Sequence, residues 1–240
     1  MSLFNPTIAR ITTRGLFGRR RFLLLLPLPL LLVGLALLAD GLGAQPGDWA
    51  QPVLVGLGFA TVLPVIALIV GTGVLGSEID DGTLIHVLAK PLPRREIILT
   101  KLVVAVAVTA LTTGVPMFIA GTLAESTRLG FGLAVGCVVG AFAYSALFLA
   151  LSLLTRRPVL LGLMYVLIWE GVLGNLLSGS RILSIQQYVI AVADRIAATS
   201  LLHGAVSIPV SVVMALVFTI GGTLLAVDRL RSFSVAGETS

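Results

Sequence analysis

The sequence has little charge and few side chains that carry chemistry. Asp, Glu, Lys and Arg make up 11% of its 240 residues, whereas a soluble globular domain carries about 25%. It contains a single cysteine, Cys137, which can form no disulfide within the chain. The two histidines, His86 and His203, are far apart and have no cysteine or histidine beside them, which is not the spacing of a zinc site. We therefore predict no metal site and no cofactor bound by this chain.

The sequence does contain a series of long apolar runs. Hydrophobic residues make up 57% of the chain, and its mean hydropathy is +1.08. A soluble fold of this size could not hide so much apolar surface. We predict an all-α polytopic membrane protein, a single transmembrane domain over residues 1–240 with six helices of about 20 residues each. The predicted spans are residues 22–39, 52–75, 94–123, 131–154, 159–177 and 208–227.

The first 21 residues are predicted to form an amphipathic helix on the membrane surface. The apolar side chains of Phe4, Ile8, Ile11 and Leu16 fall near helical spacing, and Arg10 and Arg14 lie between them. This pattern is typical of helices that lie at the bilayer interface.

A rival hypothesis concerns the start of the first span. Three consecutive arginines precede an apolar run that ends in small residues. The same pattern is found in twin-arginine signal peptides, with a cleavage site near Ala44. We favour a membrane span, because the apolar run is long enough to cross the bilayer.

The basic residues predict the orientation of the chain. Thirteen of the sixteen lysines and arginines fall on the side of the six-span arrangement that holds both termini. Such an excess marks the cytoplasmic face, so both termini are predicted in the cytoplasm, with the chain in a bacterial inner membrane. The net charge of +5 does not indicate nucleic-acid binding, because the basic residues lie at the ends of apolar runs. The three exceptions are Arg128, Arg181 and Arg195.

The longest polar interruption between apolar runs is residues 76–93, which we call the coupling segment. Ser77 is predicted to cap a short amphipathic helix with its apolar side chains on one face, and the prolines at its end stop that helix. Pro93 is placed to begin the next span. The segment is predicted to lie along the cytoplasmic membrane surface, where a push on it would move spans two and three together.

Two sets of residues resemble ABC-2 type permeases, the membrane subunits of ATP-binding cassette transporters. The first set is in and beyond the coupling segment: Glu78, Gly82, Thr83, Leu84, Leu88, Pro91, Arg94, Glu96, Ile97 and Lys101. The second is similar to one branch of the family: Arg157, Gly162, Tyr165, Trp169, Glu170, Ser184, Ile185 and Tyr188.

The resemblance implies a function and partners. In that family the coupling segment forms a coupling helix that docks into a cytoplasmic ATPase subunit, present in two copies. The residues that would meet the ATPase here are Glu78, Asp80, Asp81, Gly82, Thr83, Leu84, Leu88 and Arg94. A second permease copy, identical or related, would complete the substrate path. Residues 178–207 would form the re-entrant extracellular helices between spans five and six, and the transporter is expected to be an exporter surrounded by membrane lipid.

The chain is not predicted to be an enzyme by itself. It contains no G-x-x-x-x-G-K-[ST] loop, the sequence that cradles nucleotide phosphates. ATP and Mg²⁺ are therefore expected in the partner ATPase. An intramembrane hydrolase would need a nucleophile or metal with its base inside the spans, and neither histidine lies in the middle of a span.

Glu170 is the acidic residue that lies well inside a predicted span. A charge at the bilayer centre costs about 2.5–3.5 kcal/mol on insertion scales, so it must face protein or water, pair, or be protonated. It either lines or gates the translocation path with Trp169 and Tyr188, or locks span five to the segment that follows, or merely anchors the outer end of the span. An alternative function is an ion- or proton-coupled secondary transporter that uses Glu170, although such proteins usually contain several intramembrane ionisable residues.

A stripe of glycines occupies the fourth predicted span. Gly132, Gly136 and Gly140 recur every four residues, which places them on one face of a helix and lets another helix approach closely. The partner helix lies either in the same chain or across a dimer.

Overall fold

The computed structural model describes residues 5–17, 25–80, 93–173 and 180–235, and it contains helices without strands in these ranges. The described residues thus confirm the all-α prediction. The helices, with our labels, are α1 (Pro6–Phe17), α2 (Pro27–Gly41), α3 (Pro46–Ala50), π1 (Gln51–Val62), α4 (Leu63–Asp80), α5 (Arg94–Ala124), α6 (Thr127–Leu154), α7 (Pro158–Met164), π2 (Tyr165–Leu173), a 3₁₀ turn (Ser180–Leu183), α8 (Ile185–Ala197) and α9 (Ile208–Val235).

Four helical segments among the described residues are long and apolar enough to cross a membrane. Two shorter apolar helices, Pro27–Gly41 and Pro158–Val172, correspond to the first and fifth predicted spans. The count of six spans therefore stays a prediction. The four long segments are Pro46–Leu75, Arg94–Ala124, Thr127–Leu154 and Ile208–Leu230.

Helix α6 lies at the centre of the fold and packs against α4, α5, α8 and α9. Its glycine stripe is covered by other helices of the same chain. A Cβ atom added to Gly132 would lie 2.8 Å from the carbonyl oxygen of Ala193, and one added to Gly136 would lie 3.1 Å from that of Val189. Both carbonyls belong to α8, so the close approach that the glycine spacing predicted occurs within one chain.

The outer helices expose large apolar side chains. Helix α9 presents Val213, Leu216, Ile220 and Leu224 on one side, each more than half exposed. Apolar side chains of α2 and of the α7–π2 segment are exposed in the same way. A soluble surface rarely shows apolar patches of this extent, and a lipid environment explains them.

The helix of the second span continues further than the sequence pattern indicated. Helix α4 runs to Asp80 without interruption, so Ser77 lies inside it, and the prediction that Ser77 caps a new helix is wrong. No glycine or proline occurs between Ser77 and Asp80 to end the helix. The remainder of the coupling segment, residues 81–92, lies outside the described residues.

Helix α1 lies near the N-terminus, and of its predicted apolar side chains Leu16 is buried, Ile8 is partly buried and Ile11 is exposed, while Phe4 lies outside the described residues. Asn5 caps it, since Oδ1 accepts from the backbone N–H of Thr7 at 3.1 Å. Thr12 is also buried. The helix packs against α4 and α5; its position on a membrane surface stays a prediction.

Candidate functional site

Glu170 lies at the centre of a buried polar cluster. Its side chain is 2% exposed. One carboxylate oxygen, Oε1, accepts hydrogen bonds from the hydroxyl of Tyr144 at 3.1 Å, the hydroxyl of Tyr165 at 2.9 Å and the backbone N–H of Ile185 at 2.9 Å. The other oxygen, Oε2, accepts from the hydroxyl of Ser184. We call these five residues the Glu170 cluster.

The π-helical backbone of π2 places two members of the cluster together. Tyr165 and Glu170 are five residues apart, and in an α-helix such residues point about 140° away from each other. In a π-helix, residue i bonds to residue i+5, so the two side chains can meet. The phenol of Tyr165 then reaches the carboxylate on its own helix.

The other side of the cluster is the first turn of α8. Ser184 is its N-cap, and the serine hydroxyl accepts from the backbone N–H of Gln187 at 3.4 Å. The N–H of Ile185 is one of the helix's first donors, which have no partner within the helix, and it bonds to Glu170. A carboxylate is also stabilised at a helix N-terminus by the helix dipole.

The hydrogen bonds described for Glu170 suit a side chain that accepts at both oxygens. An ionised carboxylate is an acceptor without a proton to donate, and each of its four contacts described above is a donor. Tyr144 comes from α6, Tyr165 from π2, and Ser184 and Ile185 from the start of α8. The arrangement joins three helical segments around one buried charge.

Trp169 and Tyr188 contact the 3₁₀ turn beside the cluster. The indole Nε1 of Trp169 donates to the carbonyl of Leu183 at 3.2 Å, and the hydroxyl of Tyr188 donates to the carbonyl of Ile182. Tyr188 is buried, and its ring lies 6.2 Å from that of Phe218 on α9. The structure thus brings both residues near Glu170, and their roles in a translocation path stay predictions.

Tyr144 is the member of the cluster that the sequence pattern did not indicate. It is fully buried on α6, and its ring stacks on Phe148 at a centroid distance of 5.9 Å. Phe148 also meets the ring of Tyr165 edge-on at 6.4 Å. The sequence offers one signal for Tyr144: tyrosine is rare in this chain, which contains three tyrosines.

A second polar cluster lies where α1, α4, α5 and α9 meet, beside the coupling segment. Lys101 is 0% exposed, and its ammonium group donates to the carbonyl of Val74 on α4 at 2.6 Å. The guanidinium of Arg94 donates to the carbonyl of Leu230 on α9 at 2.9 Å. We call this set the Lys101 cluster; it also includes Asn5, Glu96 and Thr100.

Asn5 connects α1 to the first turns of α5. Its backbone N–H donates to the Thr100 hydroxyl at 3.1 Å, and its side-chain amide donates to the Glu96 carboxylate at 3.3 Å. Glu96 and Thr100 are both buried. The start of α5 is therefore bonded to the helix before it, to the N-terminal helix and to the last helix.

The structure describes few of the side chains predicted to meet an ATPase. Glu78 and Asp80 lie on the last turn of α4, and their side chains are not described. Arg94 is half-buried and bonds to α9, which places it in the Lys101 cluster. The other predicted contacts, Asp81, Gly82, Thr83, Leu84 and Leu88, lie outside the described residues.

These features define a helical integral membrane protein with a buried polar cluster at each of two sites along its helices. The chain matches the family model of ABC-2 family transporter proteins over residues 19–164, which is more than half of its length. It belongs to that family and is the membrane component of an ABC transporter. A search of curated proteins finds no match.

The matched region includes one cluster almost completely and the other only in part. It contains the coupling segment and most of the Lys101 cluster, and it ends before Glu170. The role of the coupling segment stays a prediction, and the description of the Glu170 cluster rests on its geometry.

Proposed function

We propose that this chain is the permease subunit of an ABC exporter and is driven through its coupling segment by a separate ATPase. Two permease subunits, identical or related, form the substrate path, and two ATPase subunits bind ATP with Mg²⁺. Each permease crosses the membrane six times with both termini in the cytoplasm. Family membership and the apolar helices support this proposal.

The observation that carries the proposal is the Lys101 cluster. The coupling segment joins α4 to α5, and the buried Lys101 ammonium connects these two helices directly. Charge-assisted hydrogen bonds are about twice as strong as neutral ones. A displacement of the coupling segment would therefore move α4 and α5 as a unit. The bond from Arg94 to the Leu230 carbonyl would transmit the displacement to α9.

The basic residues support the orientation. Arg94 bonds to the C-terminal part of α9, and Thr100, next to Lys101, accepts from the backbone N–H of Asn5 at the start of α1. These elements hold four of the thirteen lysines and arginines that predict the cytoplasmic side, namely Arg10, Arg14, Arg229 and Arg231. The two terminal helices thus lie at the same end of the fold as the coupling segment, which a cytoplasmic ATPase would require.

A secondary transporter driven through Glu170 is the weaker candidate. A coupling ion or proton needs a carboxylate that can bind and release it. Both oxygens of Glu170 accept hydrogen bonds from the chain itself, among them those from Tyr144, Tyr165, Ser184 and Ile185. This arrangement favours a structural anchor over a carrier of protons.

A pair of matched variants tests the proposed coupling. The tagged full-length chain is purified from its native membranes in mild detergent, and ATP hydrolysis in the purified fraction is measured. Leu84→Asp changes the predicted docking face, and Leu42→Asp makes the same change at a residue that is 83% exposed after α2. We expect Leu84→Asp to lower the bound ATPase activity about tenfold, as loss of a central interface residue does, and Leu42→Asp to leave it unchanged.

Two outcomes would contradict the proposal. One is full ATPase activity in the Leu84→Asp preparation. The other is an equal loss in both variants, which would show that any added charge disturbs the assembly. Size-exclusion profiles of both variants check that each remains folded. Export is tested separately by ATP-dependent movement of substrate into inside-out vesicles.

A further inference from the structure

A cavity of about 410 Å³ lies beside the first turns of α8, the helix whose N-terminus bonds to Glu170. Its volume is in the range of about 300–1,000 Å³ that small-molecule sites occupy. The start of π1, the first turns of α8 and the loop before α9 form its walls. Its lining residues are Gln51, Val55, Arg181, Gln186, Gln187, Ile190, Leu201, His203, Gly204 and Ala205.

Two buried amides face this cavity. The side chains of Gln186 and Gln187 are 5% and 8% exposed. No hydrogen bond of either side-chain amide is described, and neither amide is among the fully enclosed polar atoms that lack a partner, so both are open to the cavity. An amide open to a cavity offers two N–H donors and one oxygen acceptor to water or to a ligand there.

The cavity has one charged lining residue, Arg181. Its guanidinium has no ion pair or hydrogen bond to any of the residues that the structure describes. The nearby carboxylate of Asp194 accepts from the backbone N–H of Gly204 at 2.9 Å. A guanidinium binds carboxylate and phosphate groups through two parallel hydrogen bonds, and the cavity therefore suits a negatively charged group.

The rest of the wall combines apolar side chains with the polar side chains of Gln51 and His203. Val55, Ile190 and Leu201 line the cavity beside the polar groups. A few placed polar groups among apolar ones are typical of sites that orient a small organic ligand. The ligand class is thus an anion joined to a short apolar part.

We propose that this cavity binds a small amphiphilic anion, a carboxylate or a phosphate ester, with its charged group on Arg181, Gln186 and Gln187. The ligand would contact the first turn of α8, in which Ser184 and Ile185 bond to Glu170. Occupancy of the cavity would therefore hold the N-terminus of α8 in place. This proposal does not depend on the transport function, because binding needs neither nucleotide nor an ATPase.

The test uses the full chain in phosphatidylcholine nanodiscs, with hexyl phosphate as the probe and isothermal titration calorimetry as the measurement. Hexyl phosphate is expected to bind more tightly than either hexanol or inorganic phosphate. Arg181→Gln should weaken its binding about tenfold, as loss of one charge-assisted contact does. The matched control is Arg195→Gln on α8, since Arg195 is exposed and does not line the cavity; it should leave binding unchanged.

A second variant separates binding from folding. The double change Gln186→Met with Gln187→Met removes both amides and keeps the side-chain volume. We expect weaker binding of hexyl phosphate by about tenfold with thermal stability equal to or above that of the wild type, because no satisfied hydrogen bond is lost. Unchanged affinity in this variant or in Arg181→Gln would overturn the proposal, as would equal binding of hexanol and hexyl phosphate.

The source of the anion is then distinguished by competition. Nanodiscs that contain phosphatidate are compared with pure phosphatidylcholine discs. If phosphatidate lowers the apparent affinity for hexyl phosphate, the occupant is a lipid headgroup; if it does not, the occupant is a soluble anion. Both results support the site, and absence of hexyl phosphate binding in both kinds of disc would overturn it.

Discussion

Replacement of Glu170 by glutamine changes one atom of the side chain and removes the charge at the centre of the Glu170 cluster. The amide oxygen of Gln can still accept the bonds from Tyr144, Tyr165 and the Ile185 N–H. The new NH₂ group can donate to Ser184, which then acts as the acceptor. Because the shape of the cluster is retained, the change in unfolding free energy reports the contribution of the Glu170 charge.

The expected loss of stability follows from these four bonds. A hydrogen bond to a charged group contributes about 1.5–3 kcal/mol and a neutral one about 1 kcal/mol. The helix dipole at the α8 N-terminus adds about 0.3–1 kcal/mol for an anion. The glutamine variant no longer has the desolvation cost of a buried charge, which offsets part of the lost hydrogen-bond energy. We therefore expect Glu170→Gln to lower the free energy of unfolding by about 2 kcal/mol. Glu170→Leu leaves four donors without an acceptor and should cost at least about 4 kcal/mol.

The assay is reversible unfolding in mixed micelles titrated with sodium dodecyl sulfate. The matched control is Glu125→Gln. Glu125 is exposed at the turn between α5 and α6 and accepts from the Thr199 hydroxyl. The free energy of unfolding of Glu125→Gln should differ from that of the wild type by no more than about 0.5 kcal/mol, as for most surface substitutions.

Amide hydrogen exchange provides a second readout of the same prediction. The N–H of Ile185 should exchange faster in Glu170→Gln, because its acceptor is weaker. The reasoning is refuted if Glu170→Gln and Glu125→Gln lower the stability equally and the exchange of Ile185 is unaltered. If transport and ATPase stimulation also stay unchanged in a folded complex, Glu170 has no role in the path.

Three further variants test other contacts. Lys101→Met removes the donor to the Val74 carbonyl and should lower the unfolding free energy by about 1.5–3 kcal/mol, measured by the same titration. Gly132→Ala adds a methyl group 2.8 Å from a carbonyl oxygen and should cost about 1–3 kcal/mol. Gly34→Ala, where the added Cβ has no neighbour within 4 Å, should be neutral or stabilising. Asn5→Ala removes the cap of α1 and should cost about 1 kcal/mol, detected as faster exchange of the Ile8 amide.

The sequence predicts some helix boundaries closely. Helix α5 is predicted at residues 94–123 and occupies Arg94–Ala124. Pro93 marks its start, because a proline has no backbone N–H to bond to a preceding helical turn. Helix α6 begins at Thr127, earlier than the predicted residue 131. The physical reason is that the Ser126 hydroxyl accepts from the backbone N–H of Leu129 at 3.2 Å and caps the helix. The polar residues at the helix start are therefore part of the helix, whereas their composition predicts a turn.

Other features could not be predicted from local patterns. The π-helical backbone of π2 leaves no signature in hydrophobic periodicity, although it decides that Tyr165 reaches Glu170. The contact between Tyr144 and Glu170 joins residues 26 apart on different helices. Such contacts depend on how the helices pack, so the sequence indicated Glu170 as unusual without naming the groups that surround it.

The central claim is that the coupling segment faces the cytoplasm, where an ATPase can push on it. Site-directed labelling tests this directly, because the single natural cysteine, Cys137, is buried in α6 and should not react. Thr83→Cys and Ala44→Cys are each treated in intact cells with a membrane-impermeant maleimide. The account predicts labelling of Ala44→Cys in intact cells and of Thr83→Cys after permeabilisation alone; labelling of Thr83→Cys from outside would contradict it.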